Sequence, residues 1–162
     1  LGVTVRSAAA GDGEFILALN AACTPAVGDM SADDYAAISG WAHRVLIADV
    51  DGAAQGFIVL IRPGSAYPSD NYAWFEQRFG RHLYIDRIAV SAAARGRGVG
   101  QALYAEAASI AARDGDERLT AEVNEDPPNP ASMAFHLAAG FRRLLSRRSR
   151  SGKVVAMLER PL

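Results

Sequence analysis

Gly96, Gly98 and Gly100 stand at two-residue spacing in the stretch Ala89 to Ala107, AVSAAARGRGVGQALYAEA, with Arg95 before them and Arg97 between the first two. A hydrophobic run leads into them and an alanine-rich amphipathic run leads out. A strand that enters a flexible turn and leaves as a helix brings the unpaired N–H groups of the first helical turn, with their partial positive charge, toward one point. Such a point suits a phosphate. The same residues also suit a tight strand-to-helix turn with incidental arginines. Two phosphate motifs are absent. A Walker loop ends in Gly-Lys-Ser/Thr, and here Gly100 is followed by Gln101; the dinucleotide fingerprint needs a sixth-place glycine, which counted from Gly96 is again Gln101.

A third pattern does match. Arg95-x-x-Gly98-x-Gly100 resembles the Arg/Gln-x-x-Gly-x-Gly/Ala signature of the GNAT superfamily of N-acetyltransferases. A second stretch, NPASMAFHLAAGF, resembles the later motif of that family, with Asn129, Ser132, Phe135, Gly140 and Phe141 in register. The resemblance runs from about Leu83 to Phe141 and is weak before Val45. It implies acetyl-CoA as co-substrate, with the diphosphate on the backbone N–H groups of Arg95, Gly96, Arg97, Gly98, Val99, Gly100 and Gln101. It further implies that pantetheine pairs like an extra strand with Ile88, Ala89 and Val90, where two strands splay apart, and that Asn129 meets the pantetheine arm; Ser132 and Phe135 are counted with it. Asn129 is equally suited to be a plain helix N-cap.

Acetyl transfer to an amine requires a neutral amine, a stabilised carbonyl oxygen and a proton for the leaving thiolate. The family commonly supplies that proton from a Tyr four residues before the glycine of Gly-Phe; here the position is His136. His136 is therefore either the acid or a partly buried packing residue with the proton coming from solvent. Tyr104 is a weaker substitute. The expected base is Glu122, in AEVN, since some relatives that acetylate N-termini carry a Glu in a similar strand. Asp86 is the runner-up. Strand alternation puts it on the face of Tyr84, Ile88 and Val90, and a structural ion pair with a neighbouring Arg is the alternative.

Tyr72, Trp74 and Phe75 are candidates for an aromatic wall on the acceptor side, with Asp70 or Glu76 for amine recognition; the other reading is a helix buried by Trp74 and Phe75. Glu125 and Asp126 are placed to attract a cationic substrate. Arg142, Arg143, Arg147, Arg148 and Arg150 form a basic run, either a solvated strand face or a contact for the coenzyme 3′-phosphate or an acidic partner.

The elements that must hold these residues follow from periodicity and punctuation. Val3 to Ala8 alternates as a strand. Asp12 is expected to cap a helix carrying Phe15, Ile16 and Leu19, and Ser31 with Asp34 has capping-box spacing for a helix to Ser39. Asp51-Gly52 joins two apolar runs as a hairpin. A short helix is expected over Asn71 to Phe79, then a strand over Arg81 to Val90, then a helix from Val99 to about Gly115. A strand over Arg118 to Asn124 follows, then a helix capped by Asn129 with Pro130 in its first turn and ending at Gly140. A hairpin through Ser151-Gly152 closes the chain.

This order predicts an α/β (α+β) fold: one domain over residues 1–162, a mixed sheet flanked by helices. The resemblance adds that the sheet is mostly antiparallel and splayed between the strands near 83–90 and 118–124. The 162 residues are 50% hydrophobic, enough for a core, and carry a net charge of −1. That balance gives no global reason to expect nucleic acid or a membrane surface as partner. Cys23 is the only cysteine. The start reads as no signal peptide and no apolar run reaches ~20 residues, so a cytoplasmic protein is expected. No metal is expected. The expected partner is a small-molecule or peptide amine, and a homodimer is compatible with the fold. The functional reading is an N-acetyltransferase working in a ternary complex; the alternatives are a non-catalytic acyl-CoA-binding or sensor module and a nucleotide-binding domain.

Overall fold

The computed structural model describes residues 2–162. The chain runs β1 (Val3–Ser7), α1 (Gly13–Ala22), α2 (Ala32–Trp41), β2 (Arg44–Val50), β3 (Ala53–Ile61), α3 (Asp70–Glu76), β4 (His82–Val90), α4 (Val99–Asp114), β5 (Arg118–Asp126), α5 (Pro130–Ala138), β6 (Arg142–Arg148) and β7 (Val154–Pro161). The seven strands form one sheet in the order β1-β2-β3-β4-β5-β7-β6. All neighbours are antiparallel except β4 and β5. This is the mixed sheet that the element order predicts, and mostly antiparallel as the resemblance implies.

Both sheet faces are covered, which explains why β3 reads as the nearly unbroken apolar run GFIVLI. Ile58 and Leu60 join Leu103, Ala107 and Ile110 of α4 on one face. Phe57, Val59 and Ile61 pack with Ile16 and Leu19 of α1, Ile38 of α2 and Tyr72 and Phe75 of α3 on the other. Local signals fix most boundaries. Ser31 accepts from the Asp34 amide (3.1 Å) while Asp34 accepts from the Ser31 amide (2.9 Å). Asp51 and Gly52 take the positive φ values of 52° and 81° that a two-residue hairpin needs. Gly115 and Gly140 end α4 and α5 in the left-handed region.

Three expectations shift. Asp12 does not cap α1; it closes a single 3-10 turn, Ala10–Asp12, by accepting from the Ala9 amide and from Arg6. α3 begins one residue before the expected Asn71, because Ser69 caps it from the Tyr72 amide. It ends at Glu76, whose carboxylate accepts from the Gly64 amide and meets buried His82. β5 continues to Asp126 because its ladder with β7 extends past a bulge to the pair Asp126 and Val154.

The N-terminus of α4 lies close on the sheet because β3 has a glycine beneath it. A Cβ on Gly56 would stand 2.9 Å from a methyl of Val99 and 3.0 Å from the Ala89 carbonyl oxygen. Gly56→Ala is expected to destabilise the fold by about 1–3 kcal/mol through overpacking. An unchanged urea midpoint would contradict this account of how α4 is seated.

Candidate functional site

β4 and β5 pair over only three positions, His82 with Arg118, Leu83 with Leu119 and Tyr84 with Thr120. Beyond Tyr84 the strands separate. The register of β4 against β3 also slips there: Val59 opposes Arg87 and Leu60 opposes Ile85, leaving Asp86 as the extra residue of a bulge. Bulges bend a strand and re-aim its side chains. The expected face sharing is therefore corrected. Tyr84 packs with Ala89 on the α1–α3 side, whereas Ile88 and Val90 pack with Leu83 and Ile85 on the α4 side. Alternation counted through Asp86 without the bulge gives the wrong parity.

The gap is a cavity of about 850 Å³. Among the described residues, the edge of β4 over Ile85 to Val90 has no strand partner on this side. The cavity is lined by Gly96, Gly98 and the first turn of α4, by Glu122, Asp86, Tyr104 and His136, and by Ala22–Gly28, Ser149, Ser151 and Lys153.

Gly96 and Gly98 have φ of 77° and 81°, so the turn depends on glycine at both. The amides of Gly96, Gly98, Val99, Gly100 and Gln101 have no hydrogen-bond partner among the described residues. Those of Arg95 and Arg97 instead donate to the Ala92 and Ala94 carbonyls (3.4 and 3.3 Å). Space in front of the turn is open, since a Cβ at Gly96 or Gly98 would meet nothing within 4 Å. Gly100 has a further reason to be glycine: a Cβ there would fall 2.8 Å from the Phe135 ring. It lets α5 close on α4.

Glu122 is partly buried and accepts from the Tyr84 hydroxyl at both oxygens (2.6 and 2.8 Å) and from Asn71 Nδ2 (3.1 Å). Burial pushes its carboxyl up to about 8; the Tyr84 and Asn71 donors oppose this, and the nearby Asp86 charge adds to it. A folded-state value above the unfolded ~4.3 means that the proton on Glu122 stabilises the fold. That contribution is complete below the unfolded value, is lost as pH rises, and is gone once pH passes about 8. Wild-type protein is thus expected to lose stability relative to Glu122→Gln between pH 5 and about 8, as read from thermal melts across the range. A pH-independent difference would contradict the raised value.

Asp86 is held by the Arg87 Nε (2.7 Å) and by the Tyr67 hydroxyl, with its side chain only 6% exposed. It stands as the structural ion pair of the sequence reading. His136 is buried. Its Nδ1 lies 2.7 Å from the Ser132 carbonyl oxygen and its Nε2 lies 2.6 Å from the Tyr104 hydroxyl. A carbonyl only accepts, so Nδ1 carries the hydrogen and Nε2 accepts from Tyr104. Burial lowers the His136 pKa and raises that of Tyr104. With both nitrogens engaged and its pKa lowered, the imidazole lines the cavity as a neutral ring rather than a protonated acid. Asn129 does cap α5 through the Ser132 amide (3.2 Å), and its Nδ2 has no partner among the described residues. Ser132 and Phe135 lie on the cavity wall beside it.

The aromatic wall is corrected. Tyr72 and Phe75 are core residues, 2% and 0% exposed, and Trp74 is stacked by Arg78 (3.8 Å) away from the cavity. Their helical spacing serves packing. Asp70 and Glu76 likewise do not line the cavity; they accept from Arg147 and from His82. The cavity residue of α3 is Asn71, for which the sequence carries no local signal. Much of the basic run is paired: Arg142 with Glu159, Arg143 with Glu125, Arg147 with Asp70. Glu125 is thereby tied to β6, and Asp126 is exposed at the end of β5.

Residues 14–141 match the model of the family described as "Acetyltransferase (GNAT) family". A curated relative, the L-2,4-diaminobutyric acid acetyltransferase of Nocardia farcinica, is 35% identical over 99 residues, 60% of this chain and 43% of that protein. The chain thus matches less than half the length of that relative. The fold is similar to Ard1 from Thermoplasma volcanium, with a TM-score of 0.80 and 18% identity over 100% of this chain and 99% of that one. It is also similar to a GNAT superfamily phosphinothricin acetyltransferase from Sinorhizobium meliloti, solved in complex with AcCoA. That match has a TM-score of 0.73 and 23% identity over 100% of this chain and 89% of the other. Among the described residues, no helix is long and apolar enough to cross a membrane.

Proposed function

The chain belongs to the acetyltransferase (GNAT) family, and from that premise we propose that it transfers an acetyl group from acetyl-CoA to a primary amine by direct attack within a ternary complex. The observation that carries the reading is one cavity lined by the unpaired amides of the α4 turn, the free edge of β4 and a carboxyl raised to about 8. The complex of the Sinorhizobium relative with AcCoA supports the choice of co-substrate.

The chain's residues suit that molecule. The amides of Gly96, Gly98, Val99, Gly100 and Gln101 hold its diphosphate, with the exposed Arg95 and Arg97 beside them. The strand edge at Ile88, Ala89 and Val90 pairs with the pantetheine amides, and Asn129 Nδ2 donates to the same arm. Bound there, acetyl-CoA supplies an acetyl group activated as a thioester.

Glu122 takes the proton from the incoming ammonium at Oε1 or Oε2. An alkylammonium has a pKa of ~10, and a carboxylate raised to about 8 is a far better acceptor for it than one left at the ordinary value. Asp86, fixed by Arg87 and Tyr67, acts through its charge on Glu122. A backbone N–H near Val90 polarises the carbonyl oxygen. The thiolate makes a mild demand, its thiol pKa being ~8.5. The Tyr104 hydroxyl on the cavity wall already donates its one proton to His136 Nε2, and burial raises its pKa, so the proton for the thiolate comes from solvent.

The lining left for the acceptor includes Ala22–Gly28, Asn71 and Lys153. The Nocardia relative makes small amino-acid diamines the first acceptors to test, with peptide N-termini beside them. The test is thiol release from acetyl-CoA over a panel of such amines, with Glu122→Gln in parallel. Turnover lost in the variant supports the reading. Tight acetyl-CoA binding with no turnover on any amine would replace it with the non-catalytic binding module.

A further inference from the structure

The basic run of β6 contains one arginine that reaches the reaction centre through a second residue. Arg147 Nη1 donates to Asn71 Oδ1 (2.6 Å) and to Asp70 Oδ2 (3.1 Å), and Asn71 Nδ2 donates to Glu122 Oε1 (3.1 Å). Asp70 is itself held by the Arg150 amide (2.7 Å). A guanidinium has donors and no acceptor, so the atom of Asn71 that faces Arg147 must be its oxygen. The amide then has one orientation, with its NH₂ toward Glu122. We propose that Arg147 is a positioning residue that, through Asn71, keeps an amide donor on the Glu122 carboxylate. The inference rests on Glu122 being the base of the proposed reaction for its catalytic consequence, though not for the geometry itself.

Without Arg147 the Asn71 amide is free to turn over. Its oxygen would then face Glu122 Oε1, two lone pairs would oppose each other, and the carboxyl would keep its proton to relieve the clash. The other groups around Glu122 do not replace this donor. Tyr84 already donates to both oxygens. Asp86 on β4 and Asp70 on α3 raise the carboxyl pKa through their charge. Tyr67 on the loop before α3 and Tyr104 on α4 are neutral hydroxyls bonded to Asp86 and His136. Lys153, on the residues leading into β7, points its Nζ to the Pro25 carbonyl (3.1 Å).

The experiment follows the Glu122 side-chain carbon by NMR across a pH titration of the free protein labelled at glutamate, with Glu122→Gln assigning the signal. Wild type is expected to titrate near 8, and folded Arg147→Gln about one pH unit higher. Arg147→Lys, which keeps a cationic donor, restores most of the shift. In an Asn71→Ala background, Arg147→Gln moves the titration no further, because the route through the amide is gone. An unmoved titration in Arg147→Gln would overturn the inference. So would an equal movement in the Asn71→Ala background, which would make Arg147 a direct charge effect. If the titration moves as expected while the acidic limb of kcat/KM does not follow it, the positioning stands and Glu122 falls as the base.

Discussion

Glu122→Gln is expected to lower kcat/KM by ~10²–10⁴-fold, the range a positioned general base supplies, while the Kd for acetyl-CoA stays within a few-fold of wild type. Gln keeps the shape and still accepts from Tyr84 and Asn71, so the cavity is preserved and only the proton acceptor is removed. The pH profile separates this from a structural effect. In wild type, kcat/KM rises with pH and levels above about 8, following the ionisation of a carboxyl raised by burial and by the Asp86 charge. In the variant that limb disappears and only amine deprotonation remains. A variant retaining both the rate and the limb would hand the base role to another group. Asp86, paired to Arg87 and Tyr67, is poorly placed to receive it.

Gly98→Asp is expected to weaken acetyl-CoA binding by more than ~100-fold, the equivalent of about 3 kcal/mol. Two costs add. The residue has φ of 81°, which disfavours any side chain. The new carboxylate also stands among the amides of Gly96, Val99, Gly100 and Gln101, where the coenzyme diphosphate is proposed to lie. Gly98→Ala separates the two. It carries the backbone strain without the charge, and with open space around the added carbon it should lose only a small part of the affinity. Equal weakening by Ala and Asp would show that turn conformation, not anion recognition, governs binding. Gly100 is the wrong position for this experiment, because a Cβ there strikes Phe135 and shifts α5 whatever its charge.

What could be read from the chain divides by distance along it. The Ser31–Asp34 box, the Asp51-Gly52 hairpin, the Asn129 cap and the Gly115 and Gly140 stops each rest on residues a few positions apart, and each is where the sequence puts it. The splay between β4 and β5 followed from the motif resemblance, and the three-position pairing bears it out. The bulge at Asp86 was not legible, since it depends on how β4 registers with β3, and missing it inverted the face assigned to Ile88 and Val90. The aromatic residues of α3 misled for a related reason. Their spacing says that one face is buried, not whether a core or a cavity covers it, and Tyr72 and Phe75 are core. Asn71 carries no local signal, and Arg147 carries only that of a basic run. Their contacts to Glu122 and to each other span 51 and 76 residues of chain, and only the folded sheet brings them together.

The measurement that bears most directly on the whole account is calorimetric titration of the purified protein with acetyl-CoA, with ATP and NAD as controls. Selective binding of acetyl-CoA in the micromolar range is expected, lost in Gly98→Asp and kept in Glu122→Gln. A folded protein that takes up no acetyl-CoA, or binds ATP equally well, would contradict it and leave the glycines after β4 as a strand-to-helix turn.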